Sequence, residues 1–245
     1  MIPKSIIIIG TLVAIASLIV AFMKRQPISG KFSSASDNGD DSAYDGDKKY
    51  VTCGSAIKLT HKETGYLLNS QSDANWSGRG SGQQVVTLTP VLSSHDSLWL
   101  VREAHHGRMD KDICAPSTPV KCSTNIRLTH LSTNKNLHSH KVESQMRGGR
   151  EVSAFSPRGD GEGDIKDNWI IECERGAKYW ERDRPVRLLH SHTLDHLSSD
   201  VKNTFNERNC GRNCPIQNHI EVTGVDRDGK SELWLATLGV HFSAS

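Results

Sequence analysis

The sequence predicts an all-β fold built from three copies of one four-stranded unit. A five-residue motif recurs three times without gaps, and each copy closes on a tryptophan in a short apolar run. Composition agrees: 20 Gly against only 5 Trp, 4 Tyr and 5 Phe in 245 residues suits thin apolar layers joined by turns better than a helix bundle.

The three openings are Ile57–His61, Ile126–His130 and Val186–His190, each reading apolar, basic, Leu, any residue, His. Eleven residues after each opening position stands a Leu (Leu68, Leu137, Leu197), and thirteen after stands a Ser (Ser70, Ser139, Ser199). A strand-like run follows in each copy: Gln84–Leu88, Glu151–Phe155 and His219–Thr223. Its period-two alternation predicts a half-buried strand. The closing runs are Leu98–Val101, Trp169–Ile171 and Leu233–Leu235.

Opening positions lie 69 residues (57 to 126) and 60 residues (126 to 186) apart. That is longer than an average propeller blade, and three units are too few for a propeller. Three four-stranded units predict a β-trefoil, with six strands in a short barrel and six capping one end. Ile57, Leu68, Trp99, Ile126, Leu137, Trp169, Val186, Leu197 and Trp234 are then the core around a pseudo-threefold axis.

Ahead of the repeats, Ser5 to Met23 are 19 uncharged residues between Lys4 and Lys24, close to the length that spans a bilayer core of roughly 30 Å. Residues 1–26 are read as a retained signal anchor or a cleaved signal peptide, with Ala14-Ile15-Ala16 as the cleavage site. Either sends the rest of the chain into the secretory pathway, and an uncleaved helix would attach it to the membrane. Residues 27–49 lack apolar periodicity and are rich in Asp, Ser and Gly, which predicts a disordered linker. The domain is expected over 50–239, with units at about 50–113, 118–174 and 178–238. Val240–Ser245 carries no KDEL-like tetrapeptide, so retention is expected to fall to an anchor.

A net charge of +2 is too small for the basic footprint of nucleic-acid binding. No nucleophile elbow and no His-Glu-x-x-His is present. Gly78-x-Gly80-x-Gly82 lacks the Gly-Lys-Ser/Thr ending of a phosphate loop and reads as a turn. The carboxylates Asp160, Glu162, Asp164 and Asp167 sit in a Gly-rich loop expected to be solvated, and Arg79, Arg147 and Arg150 in connections before the third strands. Twelve histidines, with His138-x-His140 and His190-x-His192-x3-His196 among them, invite a metal or pH-sensor reading, since an H-x-H spacing puts both rings on one face of a strand as a transition-metal pair would need. The recurrence of His61, His130 and His190 at one repeat position points instead to an architectural role. No cofactor or metal is expected.

The stretches Val51–Ser55, Gly80–Thr87, Ile126–His130, Asn136–His140, Glu151–Phe155 and Gly161–Asp164 resemble the stromal cell-derived factor 2 family, proteins of three MIR repeats. The likeness covers roughly Tyr50 to Leu238 and is looser in the third unit, where Asn206–Ile216 is a cysteine-bearing insertion. It implies a β-trefoil of the endoplasmic reticulum, without catalysis of its own. The implied partners are a lumenal J-domain co-chaperone, a DnaK-type chaperone and unfolded clients. Two alternatives stand beside this: a lectin-like trefoil with three equivalent glycan pockets, and a regulatory MIR module tethered to a membrane.

Because the first and last strands of a trefoil unit approach each other, Cys53 is expected to pair with Cys114 and Cys122 with Cys173, leaving Cys210 with Cys214. Fifteen pairings of six cysteines exist in principle. Cys210, Cys214 and His219 supply only three of the four ligands of a structural zinc site. Asn75-Trp76-Ser77 matches the glycosylation sequon.

Overall fold

The computed structural model describes residues 49–105, 114–146 and 148–241. The apolar start and linker, residues 1–48, lie outside the described residues, as does Arg147. Among the described residues no helix is long and apolar enough to cross a membrane.

Among the described residues twelve strands form in chain order, four per unit. Unit one has β1 (Ala56–His61), β2 (Leu67–Asn75), β3 (Gln84–Thr89) and β4 (Trp99–Glu103). Unit two has β5 (Asn125–His130), β6 (Lys135–Glu143), β7 (Arg150–Phe155) and β8 (Trp169–Glu172). Unit three has β9 (Arg187–His190), β10 (His196–Thr204), β11 (Ile220–Val225) and β12 (Trp234–Val240).

Antiparallel pairing closes a six-stranded barrel in the order β1, β4, β5, β8, β9, β12 and back to β1. The β9–β12 seam is a single bridge, Val186 to Trp234. The other six strands make three hairpins, β2–β3, β6–β7 and β10–β11. Their inner strands β3, β7 and β11 pair with one another around the axis. This is the β-trefoil.

Those inner strands correct one expectation. β3 and β11 are buried at every position and β7 at its four central ones, rather than alternating. Their second face meets the neighbouring hairpins at the axis, contacts between residues far apart in the chain. At the opposite end of the barrel three segment starts interlock in a ring. Val51 N donates to Trp180 O, Val120 N to Val51 O and Trp180 N to Val120 O, at 2.9, 2.9 and 2.8 Å. Trp180 stands six residues before Val186, as Val51 and Val120 stand six before Ile57 and Ile126. The core gathers Ile57, Leu68, Trp99, Ile126, Leu137, Trp169, Val186, Leu197 and Trp234 in one cluster, each at most 2% exposed, together with Trp180.

Candidate functional site

The recurring side chains are used to hold the units to one another. Each closing tryptophan donates its indole N–H to the carbonyl of its own unit's core leucine: Trp99 to Leu68 (3.0 Å), Trp169 to Leu137 (2.9 Å) and Trp234 to Leu197 (2.8 Å). The repeated serines donate to the facing strand, Ser70 to Val85 O, Ser139 to Glu151 O and Ser199 to Glu221 O. A buried polar group must find a partner, and here each does so at the same point in its unit.

The repeated histidines clamp neighbouring units. His61 Nε2 bonds Ser231 O of unit three, His130 Nε2 bonds Asp96 O of unit one, and His190 Nε2 bonds Lys166 O of unit two, at 3.0, 2.9 and 2.8 Å. A carbonyl only accepts, so Nε2 carries the proton. Nδ1 then accepts from the threonine three residues on: Thr64, Thr133 and Thr193. Each ring also tilts against a closing indole, with centroids 5.1, 5.0 and 4.8 Å apart. Burial disfavours the imidazolium, so His61 and His130 lie below their ordinary pKa and His190 is pushed down to about 4.

A second set of equivalent positions pairs the residue after each core leucine with the residue two before each tryptophan. These pairs are Asn69 with Ser97 (3.2 Å), His138 with Asp167 (2.7 Å) and Ser198 with Glu232 (2.8 Å). Unit two elaborates the pair. Asp167 also accepts from Asn136 Nδ2 and from the Asp164 amide, both at 3.0 Å. The Gly161 carbonyl accepts from Arg102, Arg127 and Asn136. Burial lowers the Arg127 pKa from its ordinary value. A Cβ on Gly163 would stand 1.7 Å from Asp167 Oδ2, which is why only glycine serves there. The loop is therefore mixed: Asp160, Glu162 and Asp164 are exposed as expected, whereas Asp167 is fully buried. His138, Asp164 and Asp167 bring potential metal-ligand atoms within 4.8 Å of one another. These atoms are already committed, His138 to Asp167 and the Asp164 carboxylate to the Lys166 amide. The partner of His138-x-His140, His140, bonds Glu151 at 3.1 Å instead of sharing a ligand with His138.

Disulfides join Cys53 to Cys114, Cys122 to Cys173 and Cys210 to Cys214. In unit three, Arg182 and Leu238 stand where the other units place their cysteines, two residues past the ring residue and, as in unit two, four past the tryptophan. Oxidation of Cys210 and Cys214 removes the thiolates a zinc site would need, and His219 Nδ1 bonds Thr87 Oγ1 at 2.8 Å. The insertion supports a small satellite core of Ala74, Trp76, Val85, Phe205 and Ile216. Trp76 donates to Val152 O at 2.9 Å. Asn75 and Ser77 of the sequon are exposed beside it, and Arg79 is exposed in the following turn.

Two surface features of the described residues bear on function. One is apolar: Leu92, Leu238 and Val240 are 57%, 50% and 67% exposed. They surround Lys58 and Ala56, since Lys58 pairs with Leu238, Ala56 with Val240, and Lys58 Nζ reaches Leu92 O at 2.7 Å. The other is a polar cleft at the junction of β7 and β11. Sequence reasoning missed its Asp195 and Gly224, whose only signal is that they depart from the repeat. Among the described residues no Tyr, Trp or Phe is fully exposed, and Tyr50, Tyr66 and Tyr179 are half-buried.

The fold and its clamps define a disulfide-stapled trefoil of three MIR-type units. No protein-family model matches the chain. Stromal cell-derived factor 2 of Mus musculus is 38% identical over 195 residues, covering 80% of this chain and 83% of that protein. A stromal cell-derived factor 2-like protein of Dictyostelium discoideum is 37% identical over 193 residues, covering 78% and 84%. The crystal structure of the SDF2-like protein from Arabidopsis thaliana superposes with a TM-score of 0.68 at 34% identity, covering 80% of this chain and 98% of that one. The S. cerevisiae protein O-mannosyltransferase complex bound to the sugar donor matches at a TM-score of 0.61 and 25% identity, covering 80% of this chain and 26% of that one. The chain belongs to the stromal cell-derived factor 2 family.

Proposed function

We propose that this protein is a non-catalytic binding module of the endoplasmic reticulum that assists lumenal chaperone and co-chaperone complexes in protein quality control. Family membership supports the reading, and three disulfides suit an oxidising compartment of the secretory pathway. The observation that carries it is the division of labour among side chains. The recurring His, Trp, Ser and carboxylate groups are hydrogen-bonded into the scaffold, while the Leu92, Leu238 and Val240 face is left to solvent. Exposed apolar residues grouped in this way mark protein-docking surfaces. The partner seated there is the J-domain co-chaperone, with the DnaK-type chaperone recruited through it. The test is affinity capture from lumenal extract with the full chain and with Leu238→Glu. Recovery of both chaperones by the parent and their loss with the variant supports the reading; a parent chain that recovers neither overturns it.

A further inference from the structure

The three seams where inner hairpin strands meet follow one rule. Pairing sets Gln84 opposite Ala154, Ile220 opposite Leu88 and Arg150 opposite Gly224. Two seams are thus closed by a methyl or an isobutyl group. The third has neither. The residue five past each clamping histidine changes at the same seam: Tyr66 in unit one and Lys135 in unit two become Asp195 in unit three. A cleft of about 520 Å³ opens there, within the roughly 300–1,000 Å³ typical of small-ligand sites. Gly149 and Gly224 form its floor. A Cβ on Gly149 would stand 2.6 Å from the Gly224 carbonyl oxygen, so position 149 has no room for a side chain.

Asp195 lines this cleft and is 8% exposed, yet its Oδ2 accepts no hydrogen bond. The facing cation is Arg150, whose Nε lies 3.9 Å away, beyond hydrogen-bonding reach. A buried carboxylate oxygen left without a donor is costly, and it sits where the repeat has been broken to make room. The rest of the lining mixes signs: Glu143 and Asp226 against Arg227, which is bound to Glu232 at 3.2 Å. A cation drawn to Asp195 meets Arg150, and an anion drawn to Arg150 meets Asp195. A neutral ligand with adjacent hydroxyls suits both, one O–H donating to the Asp195 carboxylate while the neighbouring oxygen accepts from the Arg150 guanidinium.

We propose that this single cleft binds a neutral polyhydroxylated ligand, a hexose residue free or at the end of a glycan. Among the described residues that line the cleft none is aromatic, so a single residue binds weakly and the pocket selects on its hydroxyl pattern. The site is independent of the apolar face assigned to the co-chaperone.

The test is a titration of the ¹⁵N-labelled full chain, followed by amide shifts, with methyl glycosides of glucose, mannose and galactose and with oligosaccharides ending in the same residues. Saturable shifts confined to Glu143–Arg150 and to the Asp195 and Gly224 segments, weakened about tenfold in Asp195→Asn, support the proposal. Gly224→Ala, the residue of unit two, should also weaken binding, because its methyl would lie 3.1 Å from Asp195 Cβ and 3.5 Å from Arg150 Cβ. Should Asp195→Asn not fold, Arg150→Gln, the residue of unit one, takes its place. Tighter binding of the oligosaccharides supports a glycan source, and equal binding supports the free sugar. The proposal is overturned by the absence of saturable shifts with every neutral probe, by an undiminished response in the variants, or by salt-sensitive preference for a lysine peptide or inorganic phosphate.

Discussion

Acidification from about pH 7.5 to about pH 5 should cost this fold about 2 kcal/mol through His190 alone. The ring is fully buried, with Nε2 bound to Lys166 O and Nδ1 to Thr193 Oγ1, and burial pushes its pKa down to about 4 from the ordinary 6.5. The unfolded chain therefore binds a proton at a pH where the folded chain does not. Stability is fully present above the ordinary value, falls as pH drops through 6.5, and levels off below about 4, where the cumulative loss reaches about 3 kcal/mol at 1.36 kcal/mol per pKa unit. His61 and His130 make the same contacts and are displaced in the same direction, as is His219, so their losses add to that of His190. Glu232 also weakens the fold in acid, since its folded pKa lies below the ordinary 4.5, but its loss sets in below the pH 5 end of this comparison. Urea unfolding at the two pH values with the disulfides intact measures the difference. Proton NMR of the His190 ring reports the titration directly. A stability change under about 0.5 kcal/mol, or a His190 ring that titrates near its ordinary value, would refute the assignment of these histidines as neutral clamps.

Three further outcomes follow from the geometry. Replacing Cys122 and Cys173 by Ser opens a loop with a separation of 51 residues and should cost about 4 kcal/mol, against about 2 kcal/mol for the separation of 4 at Cys210 and Cys214; thermal melts rank the two double variants. Gly163→Ala forces Asp167 off His138 and Asn136 and should lose about 3 kcal/mol, whereas Gly159→Ala, with open space around its Cβ, should lose about 1 kcal/mol for its left-handed backbone; chemical denaturation separates them. Expression through a secretory pathway should yield a form whose electrophoretic mobility shifts on endoglycosidase treatment and does so no longer in Asn75→Gln, because the Asn75 side chain is exposed at the end of β2.

The trefoil was legible because its key contacts repeat in register. A Leu eleven residues past each opening and a Trp in each closing run are the two ends of one hydrogen bond, so the pair had to recur three times although the stretch between them varies from 31 to 37 residues. The clamping histidines were legible for the same reason, although their partners in neighbouring units were not. Burial of β3 and β11 on both faces was hidden, since strands from three distant stretches meet at the axis and no local pattern records that meeting. Asp167 read as one more loop acid, and its burial depends on His138 and Asn136 from another strand. Trp180 was overlooked because the ring it completes lies before the openings used to align the units. Asp195 and Gly224 are the reverse case: an alignment that rewards agreement passes over residues whose meaning lies in breaking it.

The seam between β1 and β12 sets a timetable for synthesis. Thr60 bonds Thr237, 177 positions later, so the first barrel strand leaves the ribosome long before its mate exists. At about 5–20 residues per second that wait lasts roughly 9 to 35 seconds, during which β1 presents an unzipped edge. Ring closure is accordingly the last act of assembly, since the edge of β1 stays open until β12 has been made.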